Sequence, residues 1–159
     1  MCKKLLTPRS LCLSAVIAAL YAALTLLLAP ISYGPIQLRL SEALTLLPIV
    51  LPQAVPGLFV GCLIANLYTG MITDIIFGSL ATLLAAIGTY LLRKKPILAA
   101  ACPVVSNGVI VGLVLALSFN LPALLTMAEV AISEIGAVAI GMIILSGMKR
   151  AKVDLTRLG

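Results

Sequence analysis

Histidine and tryptophan are absent from the 159 residues, and Asp and Glu together number only 5. Without histidine the chain lacks the commonest metal ligand and the side chain most often used as a general base. The four cysteines, Cys2, Cys12, Cys62 and Cys102, lie far apart and form no C-x-x-C pair. That spacing supports neither a zinc site nor a thioredoxin-like motif, and reads as small apolar side chains in packed helices. The sequence has no G-x-x-x-x-G-K-S/T loop, no G-x-S-x-G elbow and no H-E-x-x-H pair. No cofactor, no metal site and no enzyme is expected. The largest shortage is of charge: 10% of residues are charged and 62% are hydrophobic, whereas a soluble domain carries roughly a quarter charged residues. With a mean hydropathy of +1.24, too little polar surface exists to cover a water-facing globule, so a membrane protein of a single domain, residues 1–159, is expected.

A spanning helix takes about 20 mainly apolar residues, so six crossings would use roughly 120 of the chain. The punctuation permits that number. Leu11–Ala29 reads as a first helix closed by Pro30, with Tyr33-Gly34-Pro35 as a turn. Its apolar core exceeds the roughly 7–15 residues of a signal peptide, and it is retained as a helix. The apolar block that follows contains Pro48, Pro52 and Pro56, which a single straight helix would not tolerate. It reads as two short crossings, Ile36 to Pro52 and Ala54 to Thr69. Asp74–Leu92 is a fourth crossing, Pro96–Ser118 a fifth and Leu121–Gly147 a sixth. The fold class expected is therefore all-α and polytopic, with six transmembrane helices.

The basic residues bear on the count independently. Of 11 Lys and Arg, all but Arg39 fall in three clusters: Lys3, Lys4 and Arg9; Arg93, Lys94 and Lys95; Lys149, Arg150, Lys152 and Arg157. In a six-helix chain these sites share one side of the membrane, and the positive-inside rule makes that side cytoplasmic, with both termini there. The net charge of +6 is thus a topology signal. No aromatic-basic interleaving accompanies it, and no nucleic-acid partner is expected.

Polar residues within the crossings carry the chemistry, because a carboxylate at the bilayer centre costs roughly 2.5–3.5 kcal/mol on insertion scales and normally faces a cavity or a partner. Glu129 and Glu134 lie in the sixth crossing, about 140° apart around its axis. They border one cavity if that helix forms its wall, or fasten helices by pairing with Arg39 or a hydroxyl. Arg39 and Glu42 share a face of the second crossing, and the spacing suits a mutual ion pair as well as a ligand role. Asp74 reads as a helix cap, Asn66 as a bridge between helices, and Tyr33 and Tyr68 as interfacial anchors. Gln37, Arg39, Glu42, Asn66, Asp74 and Glu129 fall in the outer half, with Asn107 and Glu134 near the midplane. That is a polar pocket open to the outside, without the continuous polar path of a channel or proton relay. The candidate substrate contacts are Gln37, Arg39, Glu42, Asn107, Glu129 and Glu134.

Small residues mark packing faces. Ala15, Ala19 and Ala23 recur every four residues in the first helix, while Gly57-Gly61-Ala65 and Gly108-Gly112 repeat the spacing further on. The glycines read as internal packing, and the alanine strip as a face able to receive a second protein.

Six helices, an alanine strip, an outward pocket and no ATP site resemble the substrate-binding S component of an energy-coupling factor (ECF) transporter. The stretches Ile36-Gln37-Leu38-Arg39-Leu40-Ser41-Glu42-Ala43-Leu44-Thr45, Gly57-Leu58-Phe59-Val60-Gly61-Cys62-Leu63-Ile64-Ala65-Asn66 and Asp74-Ile75-Ile76-Phe77-Gly78-Ser79-Leu80-Ala81-Thr82 are similar to the QueT-type S components. The resemblance implies a multi-pass protein of the prokaryotic plasma membrane that captures a queuosine precursor, a 7-deazaguanine. It implies assembly with a transmembrane T subunit and two ATPase subunits. A guanine-like edge offers N–H donors that a carboxylate accepts in pairs, so Glu129 or Glu134 suits it. Stacking on the flat base would fall to Tyr33, Tyr68, Phe59, Phe119 or Arg39. The competing reading is a self-sufficient proton-coupled transporter with Glu129 or Glu134 as the proton carrier.

Overall fold

In the computed structural model, residues 7–33 and 39–151 are described, and among them every regular element is a helix. Helix α1 is Pro8–Leu27, α2 the single turn Ala29–Ser32, α3 Leu40–Ile49, α4 Ala54–Leu67, α5 Asp74–Leu91, α6 Pro96–Phe119 and α7 Ala123–Arg150. Four of these, α1, α5, α6 and α7, are long and apolar enough to cross a membrane, with 20, 18, 24 and 28 residues. The other two apolar helices, α3 and α4, are shorter.

Helix α1 opens with the Thr7 side chain accepting from the Ser10 amide, and Pro8 sits in the first turn, where its missing N–H costs nothing. It stops at Leu28, and Pro30 sits in the first turn of α2 rather than only closing the first helix. Helix α3 is a 3-10 helix of 10 residues with Pro48 inside it. At a rise of about 2.0 Å per residue it covers roughly 20 Å, nearly what the 14 residues of α4 cover at about 1.5 Å. The portion of the second crossing expected from Ile36 to Leu38 lies outside the described residues. Helix α5 begins with a π-helical turn, Asp74–Gly78, and α6 contains another, Asn107–Val111. Pro103, inside α6, cannot donate to the carbonyl of Ala99; the Thr89 hydroxyl donates to that carbonyl instead, at 3.2 Å.

Helix α4 packs beside α1 and runs in the same direction. Ser14 Oγ donates to the Gln53 carbonyl at 2.9 Å, which sets the α3–α4 connection beside the start of α1. At the other end Tyr33 donates to the Ala65 carbonyl at 2.7 Å. The glycines of α4 make the α1 contact close: a Cβ on Gly57 would lie 2.7 Å from the Ser14 carbonyl oxygen, and one on Gly61 2.7 Å from that of Ala18. Gly108 and Gly112 receive Ala131 and Met127 of α7 in the same way. One apolar cluster lies where α1, α3 and α4 meet, around Tyr21, Leu51, Leu58 and Cys62; a second joins Ala81, Val111, Leu115 and Val130.

Candidate functional site

Buried polar side chains gather where α3, α5, α6 and α7 converge. Arg39, Glu42, Thr82, Asn107 and Glu134, with Val111 and Val130, line one cavity of about 10 Å³. That volume holds about one water, so a larger ligand enters only as these side chains part. Glu42, Thr82, Asn107 and Glu134, 25 to 40 residues apart from one to the next, reach the same point because each sits on a buried helix face, and Arg39 lies just before α3. On α7 that face carries Thr126, Val130, Ser133, Glu134, Ala137 and Val138.

The hydrogen bonds fix some polar atoms and leave others open. Both the Tyr21 hydroxyl and the Thr82 hydroxyl, the latter at 3.4 Å, donate to Glu42 Oε1. Glu42 Oε2 is buried with no protein partner. Asn107 Nδ2 donates to Glu134 Oε1 at 3.1 Å, and Asn107 Oδ1 is likewise unpartnered. Such atoms are costly to bury without partners, and Arg39 Nε, a donor of the same cavity lining, is unpartnered too. Among the described residues no group of His, Cys, Asp or Glu is arranged to hold a metal ion.

Beside the cavity, Arg39 Nη2 contacts Asp74 Oδ2 at 3.1 Å, an ion pair in which both residues are buried. The guanidinium lies 5.3 Å from the centre of the Tyr33 ring, and Tyr33 stacks on Tyr68 with centroids 6.2 Å apart. Burial pushes the Tyr33 hydroxyl up to about 12, so it stays a donor to the Ala65 carbonyl. Asn66 Nδ2 donates to the Asp74 carbonyl at 3.0 Å, joining α4 to α5. Asp74 does not cap its helix: it is spent on Arg39, and so Arg39 and Glu42 do not form the mutual ion pair that their spacing allows.

Of the residues singled out from the sequence, Arg39, Glu42, Asn107 and Glu134 come together at this cavity. Glu129 does not join them. It is exposed on α7, because the turn of about 100° per residue sets it roughly 140° from Glu134. Gln37 lies outside the described residues. Phe119 is exposed at the end of α6, and Phe59 lies at a groove between α1 and α4, so neither borders the cavity. Sequence reasoning missed Tyr21 and Thr82, both buried. The available signal was a phenol and a hydroxyl within apolar helices, each of which needs a partner there. Ala15, Ala19 and Ala23 are exposed, whereas Ala18 and Ala22 between them are buried.

A family model described as QueT transporter matches residues 11–150. Over 71 residues the chain is 41% identical to the queuosine precursor transporter QueT of Lactococcus lactis subsp. cremoris (strain MG1363). That similarity takes in 43% of this chain and 42% of the relative, so the chain spans less than half of the relative it matches. No solved structure matches the chain.

Proposed function

The chain belongs to the QueT transporter family, and from that premise we propose that it is the substrate-binding subunit of an ECF-type importer, taking up a queuosine precursor built on 7-deazaguanine. As a transporter and not an enzyme, it is a multi-pass protein of the plasma membrane. The observation that carries the proposal is the set of buried, unpartnered acceptors, Glu42 Oε2 and Asn107 Oδ1, on residues that share a cavity with Glu134. A guanine-like edge presents the N–H donors these atoms lack, and carboxylates receive them as charge-assisted bonds. An aminomethyl cation on the ligand would find the second carboxylate. Arg39, Glu42, Asn107 and Glu134 are the proposed contacts, with Gln37 a further candidate by its place in the sequence beside Arg39.

In this reading the single domain of residues 1–159 crosses the membrane six times, α3 and α4 being the two short crossings. The pairing of Ser14 with Gln53 at one end and of Tyr33 with Ala65 at the other supports that path. The clusters Arg93-Lys94-Lys95 and Lys149-Arg150 then fall on the cytoplasmic side with both termini. Energy comes from two ATPase subunits through a transmembrane T subunit docked on the exposed Ala15, Ala19 and Ala23. A proton-coupled carrier acting alone would need polar residues through the full thickness. Toward the Ser14–Gln53 end the buried side chains among the described residues include the apolar Leu46, Ala85, Ala86 and Leu145 and the polar Ser10, Gln53 and Thr89, but no acid or base to relay a proton.

The test is calorimetric titration of the purified chain with 7-aminomethyl-7-deazaguanine. Glu42→Gln and Glu134→Gln should each weaken binding by about 1.5–3 kcal/mol, the worth of a hydrogen bond to a charged group. Glu129→Gln should leave binding unchanged. Equal binding by all three variants and the parent would return both buried glutamates to helix packing.

A further inference from the structure

We infer that Tyr21 is the positioning residue that holds Glu42 ready for the ligand, so that helix α1 sets the geometry of a cavity it does not itself line. This rests on the reading that the cavity takes the substrate. Tyr21 is wholly buried, and its hydroxyl donates to Glu42 Oε1. Thr82 of α5 donates to the same oxygen at 3.4 Å. Two donors from two helices therefore converge on Oε1, while Oε2 of the same carboxylate is buried with none.

That asymmetry is the argument. A fastening carboxylate can also leave one oxygen unpartnered, as Asp74 does with Oδ1, but Asp74 does not line the cavity and Glu42 does. Here one oxygen is used to anchor the group and the other remains available, as a group ordered before its ligand arrives requires. A glutamate side chain has three rotatable bonds, and holding it in one orientation beforehand removes an ordering cost from the binding step. The anchoring is reinforced one turn along α1. Thr25 Oγ1 bonds Ser41 Oγ at 2.7 Å, so adjacent residues of α3, Ser41 and Glu42, are tied to consecutive turns of one helix. The exposed Ala19 and Ala23 lie on the other side of that helix, each about 200° around the axis from Tyr21. A shift of α1 imposed from that face would reach Glu42 through the Tyr21 hydroxyl and, by way of Ser41, through that of Thr25.

The experiment uses the full chain in detergent and 7-aminomethyl-7-deazaguanine as the probe. Tyr21→Phe removes one oxygen and keeps the ring in its place. It should lower affinity about tenfold, the value of one charge-assisted hydrogen bond. In a Glu42→Gln background the same change should matter less than about twofold, because the group it positions is already neutral. A merely structural tyrosine would give the same factor in both backgrounds, and that result overturns the inference, as does unchanged affinity. Should Tyr21→Phe not stay folded, Thr25→Val loosens the neighbouring tie without touching Glu42. It should lower affinity about threefold in the parent and not in Glu42→Gln; no loss in the parent overturns the inference. Absence of probe binding by the parent chain would instead overturn the reading of the cavity, and this inference with it.

Discussion

Arg39 meets Asp74 through one contact of 3.1 Å, and Arg39 Nε and Asp74 Oδ1 are both buried without partners. An ion pair held at one point, with donor and acceptor left over on either side, contributes little net stability after desolvation. Its value lies in making the burial of Arg39 tolerable. Asp74→Leu should therefore destabilise the protein by about 3–5 kcal/mol, because a guanidinium is left buried and uncompensated. Arg39→Met together with Asp74→Leu should recover most of that loss, and yet not restore ligand binding. Thermal unfolding in detergent reads the first effect and calorimetry the second; a double variant as unstable as Asp74→Leu would show that the pair is needed for folding itself. At this scale the sequence was informative about which residues matter and silent about their partners. Arg39, Glu42, Asn107 and Glu134 stand out as polar groups in apolar helices, where burial has to be justified. That Arg39 pairs with Asp74 rather than Glu42 depends on a contact between α5 and the residue preceding α3, which no local spacing encodes. Tyr21 is harder to single out, because a tyrosine in an apolar helix reads as a packing side chain until its hydroxyl needs a partner.

Helices in this molecule are held by close backbone approach as much as by side-chain interdigitation. Gly61 is the tightest case beneath Tyr21: a Cβ there would lie 2.7 Å from the Ala18 carbonyl oxygen and 2.9 Å from Tyr21 Cβ. Gly61→Ala should push α1 away from α4 and cost about 1–3 kcal/mol, the range for overpacking a filled interior. It should also weaken ligand binding, since Tyr21 moves with α1. Thermal unfolding and calorimetry on the same variant check both, and a stable variant with weakened binding would separate positioning from folding. The element order was largely legible. Proline placement divided the long apolar block into α3 and α4, and the glycine spacing gave the packing faces. The 3-10 character of α3 and the π-turns of α5 and α6 were not legible, because a hydrophobic pattern barely registers one residue gained or lost per turn. Nor was the buried face of α7. In a lipid-facing bundle the outer surface is as apolar as the inner one, so the periodicity that marks a core face in water is flattened. Their spacing sets Glu129 and Glu134 on different sides of α7, and packing decides that the Glu134 side is the buried one.

The arrangement of the whole chain places its polar cluster and its exposed alanines on two sides of α1. Tyr21, Ala18 and Ala22 face inward and are buried, while Ala15, Ala19 and Ala23 are exposed. Beside the alanines an apolar groove of about 530 Å³ runs between α1 and α4, lined in part by Leu11, Ala15, Val55 and Phe59. Lipid tails are as apolar as leucine, so a partner helix gains nothing there from hydrophobicity and must win by fit, which small side chains provide. In the proposed reading the chain, whose sequence has no nucleotide loop, draws its energy from another protein. If the T subunit docks on this face, a bulky side chain at Ala19 fills the strip without entering the cavity, which lies on the opposite side of the helix. Ala19→Trp should then abolish co-purification with the T subunit and uptake into cells. The purified variant should still bind 7-aminomethyl-7-deazaguanine within about twofold of the parent, since the change lies roughly 200° from Tyr21. Uptake that survives the substitution would move the docking surface elsewhere. Loss of binding together with assembly would mean that α1 had shifted, carrying Tyr21 away from Glu42, and the isolated chain would report that shift without any partner present.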